Sequence, residues 1–335
     1  MDGRLDEALR AQLTTTLGET ALAVPGVSLL HRGKVRDSYR LPDGRRLIVT
    51  TDRISAFDQI LGTLPCKGQV LNQLAAHWFE ISREVAPNHL IAVPDPNLMV
   101  VQDCQPLPVE LVMRAYLTGV TSTSIWVAYE RGERRFAGHP LPCGLRKNEP
   151  LPRPLLTPST KAETGGHDET LSADELLRRG LLDRETLAQA EVLCARLFAF
   201  GQAQARARGL ILVDTKYELG FTKDGRRDLL VIDEVHTPDS SRYWFAADYE
   251  ERLARGEEPR TLDKEFVRRH LIARGYAGEG PPPPGLLDDE VRMEAARRYI
   301  ETYELLTGLP FVPALGDAHP RLQAAVTTLS QGRVS

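Results

Sequence analysis

Cysteine is scarce in this chain: Cys66, Cys104, Cys143 and Cys194 are the only four in 335 residues, and neighbours are at least 38 residues apart. Such spacing contains no CxxC and no metal-type cluster, so the thiols read as reduced side chains of a cytosolic protein. Long hydrophobic runs are also lacking. No stretch of about 18 apolar residues exists, which argues against a membrane span. The N-terminus, MDGRLDEALRAQL, has acids and no apolar segment, so no signal peptide is expected. Neither charge sign dominates. A net charge of −4 and a pI near 6.1 exclude a general nucleic-acid binder. They leave room for small anionic ligands, which need only a few local arginines and lysines. A Walker A motif is absent, and so is HExxH among eight histidines, which disfavours zinc. What is present is ordinary for a soluble globular protein: 42% hydrophobic and 26% charged residues. The length suits two domains or one large one.

Residues 27–63 read as strands, with a hairpin turn signalled by Pro42-Asp43-Gly44. Val70, Leu71, Leu74, Trp78 and Ile81 recur at helical spacing, predicting a helix over 68–86. Residues 90–118 read as strands again. Residues 140–170, rich in Pro, Gly and charge, read as a long loop of the kind that is often functional. A helix is expected over 183–208, closed by Gly209. A hairpin around Asp224-Gly225 follows. The tetraproline 281–284 reads as a stiff spacer. Asp288 or Asp289 then caps a final helix ending at Gly308. No internal repeat is evident. Strands and helices fall in blocks rather than strict βαβ alternation, which favours an α+β fold.

The segment LILVDTKYELGF, residues 210–221, carries the sharpest pattern. As a strand it puts Leu212, Asp214, Lys216 and Glu218 on one face and mostly apolar residues on the other. A two-residue loop at Asp224-Gly225 would set Lys216 opposite Asp233 and Glu218 opposite Val231. Glu218 and Asp233 would then be diagonal neighbours, roughly 7–8 Å apart at Cα. Two carboxylates so placed can hold a hard cation such as Mg²⁺ together with phosphate oxygens. The plainer alternative is a solvent-facing ladder of salt bridges, and a longer loop would slip the register.

Four further segments carry polar chemistry. In HRGKVRDSY, Gly33 lets the backbone approach a phosphate and Lys34 adds charge, although a turn glycine beside a surface lysine reads the same way. In VMRAYLTG, Arg114 lies between apolar strand residues and is costly to bury unpaired. It reaches either an anion or a structural salt bridge. In TPDSSR, Asp239 can accept from sugar hydroxyls and Arg242 can clamp phosphate or carboxylate. A capped turn is the alternative. In TPSTKAETGGHDE, Lys161, His167 and Asp168 surround a Gly-Gly pair, and His167 reads as a base or as a loop residue.

Taken in order, GKVRDSY, LIVTTDRISAFD, VMRAYLTG, TPSTKAETGGHDE, LVDTKYELG and IDEVHTPDSSRYW resemble the SAICAR synthetase family, in its longer, yeast-like form. The resemblance runs from about residue 28 to ETYELLTG at 301–308. It implies a two-lobed α+β fold related to ATP-grasp and kinase-like folds. The expected lobes are an antiparallel β-rich nucleotide-binding lobe, 1–108, and a larger α+β lobe, 109–335, holding the metal and substrate site and the terminal helix. It implies an ATP-dependent ligase of purine synthesis that joins carboxyaminoimidazole ribotide (CAIR) to L-aspartate, giving SAICAR, ADP and phosphate. ATP and Mg²⁺ are the implied cofactors. The implied partners are small molecules only, and the implied state is a cytoplasmic monomer.

By the same resemblance, Gly33, Lys34 and Arg36 bind the ATP phosphates, and Glu218 and Asp233 bind the metal. Arg114, Ser241 and Arg242 hold CAIR, chiefly its phosphate, with Asp239 near the ribose. Asp214 and Lys216 belong to the active-site strand. The loop with Lys161, His167 and Asp168 is the expected aspartate site, and Asp214 or His167 is the candidate base. One position departs from the family pattern. A serine commonly follows the glycine of R-x-Y-x-x-G, whereas Val120 stands here, leaving Thr121 or Ser122 to supply the hydroxyl. Three rivals share parts of this pattern. A kinase of similar fold would turn over ATP without aspartate, a non-catalytic homologue would bind ATP without turnover, and another carboxylate–amine ligase would differ only in substrate.

Overall fold

A computed structural model describes residues 3–331 except 57–58, 122, 162–168, 263–264, 277–279, 281 and 284. The chain divides into two compact units, the first comprising 1–80, 90–103 and 263–335, the second 81–89 and 104–262.

The first unit opens with helix α1 (Gly3–Gln12) and a meander of β1 (Ser28–Arg32), β2 (Arg36–Arg40) and β3 (Arg46–Thr50). The predicted turn joins β2 to β3. Gly44 sits there at φ 87°, a conformation other residues rarely adopt. A short hairpin, β4 (Arg53–Ala56) and β5 (Gln59–Thr63), leads into helix α2. Helix α2 spans Lys67–Ile81, shorter than the predicted 68–86, and Pro87 lies just beyond. Strands β6 (Leu90–Asp95) and β7 (Leu98–Val101) complete an antiparallel sheet of order β1-β2-β3-β7-β6.

The second unit is built on a mostly antiparallel sheet. Its elements are β8 (Cys104–Pro106), β9 (Val109–Tyr116), α3 (Ile125–Glu130), β10 (Arg135–Phe136), β11 (His139–Pro140), β12 (Pro150–Thr160), α4 (Ala173–Arg178), α5 (Arg184–Ala207), β13 (Leu210–Thr222), β14 (Leu229–Ile232), β15 (Ser241–Phe245) and α6 (Tyr249–Arg255). The order is β12-β9-β13-β14, with β15 and β8 pairing successive parts of the long central β13. Strand β12 corrects the expectation of a continuous loop over 140–170. Pro150, Pro152, Pro154 and Pro158 disguised it. Proline cannot donate to a ladder, but an edge strand tolerates it, and β12 is the edge. Helix α5 forms as predicted. Asp183 caps it by accepting from the Thr186 amide at 2.7 Å, and Gly209 follows it at φ 73°. It buries Leu197, Phe198, Gly201 and Ala205 and packs on β13, β9 and β12.

Helices α7 (Glu265–Ala273), α8 (Asp289–Thr307) and α9 (Ala318–Ser330) return to the first unit. Asp288 caps α8 and Gly308 ends it, as expected. Helix α9 was not anticipated, and the division differs from the expected lobes 1–108 and 109–335. The reason is packing: Leu322, Val326 and Leu329 complete the core that Tyr39, Leu47, Val49, Leu98 and Val100 present from one face of the first sheet. Half of the tetraproline lies outside the described residues. No helix among the described residues is long and apolar enough to cross a membrane.

Candidate active site

Helix α5 covers one face of the second sheet, and polar side chains occupy the other. Strand pairing sets this pattern, because directly opposed residues share a face. Asp214 of β13 is opposite Arg114 on β9 and Arg242 on β15. Its carboxylate lies 3.7 Å from Arg114 and 3.8 Å from Arg242, too long for hydrogen bonds, so the attraction is electrostatic. The Arg114 Nε donates to the Thr157 hydroxyl at 2.9 Å. Burial lowers the Arg114 pKa, while Asp214 opposes that change. Two guanidiniums flank Asp214 in a partly dehydrated place, an arrangement of donors that suits an anion.

Two residues along the same face, Lys216 meets acids. Its Nζ donates to Glu110 at 2.6 Å and lies 3.6 Å from Glu218. Burial opposes the ammonium charge, yet Glu218, Glu110 and Asp233 outweigh it and hold the pKa above the ordinary lysine value. Lys216 is therefore a fixed cation at neutral pH. Lys161, at the end of β12, donates to the other Glu218 oxygen at 2.5 Å. The face thus carries a positive pair around Asp214 beside an interleaved cluster of lysines and carboxylates.

The hairpin register differs by one residue from the expected one. Glu218 is opposite Ile232, and Leu219 is opposite Val231. The turn is longer than two residues, because Thr222 and Asp228 close it through the Thr222 amide and Asp228 carbonyl at 3.0 Å. A one-residue slip would turn Asp233 to the wrong face of a regular strand. Instead β14 ends at Ile232, and Asp233 takes φ 68°. That left-handed step leaves Asp233 close enough to act on Lys216.

The other predicted residues separate into groups. Asp239 is half-buried in the turn before β15, its amide donating to the Thr237 hydroxyl at 3.3 Å. Ser241 bonds the Thr215 hydroxyl at 2.7 Å, on the helix-covered face, because residues adjacent to Arg242 alternate away from it. Val120 is exposed, and Ser122 lies outside the described residues. Arg242 donates to the Thr118 hydroxyl at 3.4 Å. His167 and Asp168 also lie outside the described residues. Gly33, Lys34 and Arg36 belong to the first unit, Gly33 and Lys34 in the turn from β1 to β2 and Arg36 at the start of β2. There the Gly33 amide donates to the Arg36 carbonyl at 2.7 Å, and a Cβ on Gly33 would crowd that carbonyl.

Sequence reasoning missed several participants. Glu110 shares a strand face with Arg114, so the alternation in VELVMRAY was an available signal. Thr118 carried none. Behind the sheet, the Tyr217 hydroxyl and His236 Nε2 are 2.5 Å apart, both buried, and Gly201 of α5 allows the helix to approach that ring. Burial pushes the His236 pKa down to about 3, so the imidazole is neutral.

Glu218 and Asp233 fit a Mg²⁺ site in donor chemistry. Both are hard oxygen donors, and two lysine ammoniums now supply the positive charge beside them. Among the described residues, no three His, Cys, Asp or Glu side chains could hold a metal by themselves.

The family model described as SAICAR synthetase matches residues 29–283. The chain is 45% identical over 284 residues to a phosphoribosylaminoimidazole-succinocarboxamide synthase of Legionella pneumophila strain Lens, covering 84% of this chain and 88% of that one. It is 40% identical over 320 residues to the synthase of that name from Flavobacterium psychrophilum, covering 95% and 99%. Among solved structures it resembles the Saccharomyces cerevisiae SAICAR synthase complexed with SAICAR, at TM-score 0.76 and 30% identity, covering 89% of this chain and all of that one.

Proposed function

The chain belongs to the SAICAR synthetase family, and on that premise we propose how its residues divide the work of joining CAIR to L-aspartate. The reaction yields SAICAR, ADP and phosphate in purine biosynthesis. The observation that carries the assignment is the single sheet face where Arg114, Asp214 and Arg242 adjoin Lys216, Glu110 and Glu218.

A carboxylate resists attack by an amine because oxide would have to leave. Transfer of the γ-phosphoryl group of ATP to the CAIR carboxylate gives an acyl phosphate, and phosphate is then the leaving group. Every species in that step is anionic, so catalysis rests on positioning and electrostatic stabilisation. In our reading Arg114 and Arg242 hold the CAIR phosphate, with Asp214 between them keeping both guanidiniums on one face. Thr118 supplies the neighbouring hydroxyl in place of the serine that Val120 replaces. Asp239 takes the ribose hydroxyls. Lys216, a permanent cation, offsets the charge of the activated carboxylate.

Glu218 and Asp233 would hold Mg²⁺, which would supply positive charge to offset that of the phosphoryl groups. Lys161, bonded to Glu218, adds positive charge beside the incoming anion. Gly33, Lys34 and Arg36 cradle the nucleotide phosphates. Aspartate enters by the segment containing His167 and Asp168. Because Asp214 is committed to two arginines, His167 is the better base for the aspartate amine. The enzyme acts as a cytoplasmic monomer.

The deciding experiment is ADP release from MgATP and CAIR, with and without L-aspartate, following SAICAR absorbance in parallel. ADP formation should require both substrates and match SAICAR in amount. ADP release indifferent to aspartate would overturn this reading in favour of a kinase.

A further inference from the structure

Arg53 has no role in the chemistry above, yet it is a buried cation of the first unit with several hydrogen-bond acceptors. Its side chain is 9% exposed, and that of its partner Asp37 is fully buried. The guanidinium donates to four acceptors. They are the Gly18 carbonyl at 2.7 Å, the Gly33 carbonyl at 2.9 Å, the Lys34 carbonyl at 3.2 Å and Asp37 Oδ1 at 2.6 Å. The other Asp37 oxygen accepts from the Thr20 amide at 3.2 Å and the Thr20 hydroxyl at 2.6 Å. Next in the chain, the Val35 carbonyl accepts from the Thr51 hydroxyl at 2.6 Å and the Thr51 amide at 2.9 Å.

These bonds turn successive carbonyls of the β1–β2 turn inward. In a trans peptide the C=O of one residue and the N–H of the next point in opposite directions, and no described peptide here is cis. Holding the Gly33 and Lys34 carbonyls against Arg53 therefore aims the Lys34 and Val35 amides the other way. Successive amides aimed together form an anion-binding concavity. Only a planar fork can serve these acceptors at once; a lysine ammonium in the same place has three donors on a single atom.

We propose that Arg53, braced by Asp37, is a positioning residue that presents the Lys34 and Val35 amides to nucleotide phosphate. This rests on the reading of Gly33-Lys34 as the phosphate loop. It deepens that reading by assigning part of the binding to backbone amides and naming the side chain that orients them.

The test compares binding of adenosine, AMP, ADP and MgATP to wild type, Arg53→Lys and Lys34→Ala by calorimetry. Wild type should gain affinity with the β- and γ-phosphates. Arg53→Lys should lose about tenfold or more of that gain, as expected for a charge-assisted hydrogen bond, while adenosine affinity stays within about twofold. KM for MgATP should rise with KM for aspartate unchanged. Equal losses for all four ligands, or no loss, would overturn the assignment by making Arg53 a fold residue only. If Arg53→Lys fails to fold, Asp37→Asn loosens the same brace and takes the same readout. If Lys34→Ala removes the phosphate gain and Arg53→Lys keeps it, the Arg53 assignment falls while the phosphate loop stands. If neither variant alters the gain, the phosphate-loop reading falls as well.

Discussion

Glu218→Gln separates a metal ligand from a member of a salt-bridge ladder. The wild-type carboxylate is 2.5 Å from Lys161 and 3.6 Å from Lys216, and the three side chains are between 19% and 35% exposed. At that exposure the ion pairs contribute about 1 kcal/mol or less to folding. Lys216 also keeps Glu110 at 2.6 Å, and the glutamine carbonyl can still accept from Lys161. The melting temperature should therefore move by no more than about 3 °C. Activity should respond quite differently. Losing one charged contact that is preorganised for the transition state costs about 3–4 kcal/mol, or ~10²–10³-fold in kcat. The assay is coupled ADP release at saturating ATP, CAIR and aspartate across a magnesium titration. The half-saturating magnesium concentration should rise together with the fall in kcat. Glu110→Gln is the control, since it touches Lys216 without being a proposed ligand. It should lower kcat less and leave the magnesium midpoint in place. Full activity of Glu218→Gln at saturating magnesium would refute the metal assignment and leave only the ladder.

Other consequences are measurable. Arg114→Lys and Arg242→Lys should each raise KM for CAIR by about 10–100-fold, because lysine cannot reproduce the bidentate fork. Since both arginines share Asp214, the double variant should lose less than the product of the single losses, and strict additivity in the double-mutant cycle would count against a shared site. The His236 pKa lies near 3 in the fold and near 6.5 in the unfolded chain, so the unfolded state binds the extra proton. Stability linked to this residue is complete above about pH 6.5 and falls toward pH 3 by up to ~1.4 kcal/mol per pH unit. Urea unfolding of wild type should show this slope and His236→Gln should flatten it; equal slopes would contradict it. Gly201→Ala places a methyl into the His236 ring, so it should destabilise by about 1–3 kcal/mol as overpacking does, and an unchanged urea midpoint would deny the close approach.

The fold class and the polar face of β13 were legible locally. Alternation in LILVDTKYELGF needs no partner strand to place Asp214, Lys216 and Glu218 together, since side chains along any strand alternate with period two. The cap of α8 was legible for a similar reason, since an Asp before a helix satisfies amides within three residues of itself, whereas Asp183, read as part of α5, is its cap. Pairing was not local. The hairpin register turned on the length of a surface loop, and Asp233 reached its place through a left-handed backbone step that nothing in IDEVHTP marks. Strand β12 was hidden because proline tells against a strand until an edge position is known. The attachment of α9 to the first sheet, and the brace from Arg53 to the turn that precedes it by some twenty residues, depend on which surfaces meet. Sequence alone therefore determined what chemistry each segment could offer, through short-range rules of alternation and capping. Tertiary structure decided which of those groups share a site, because long-range packing and hydrogen bonds between distant segments set the distances at which charges act.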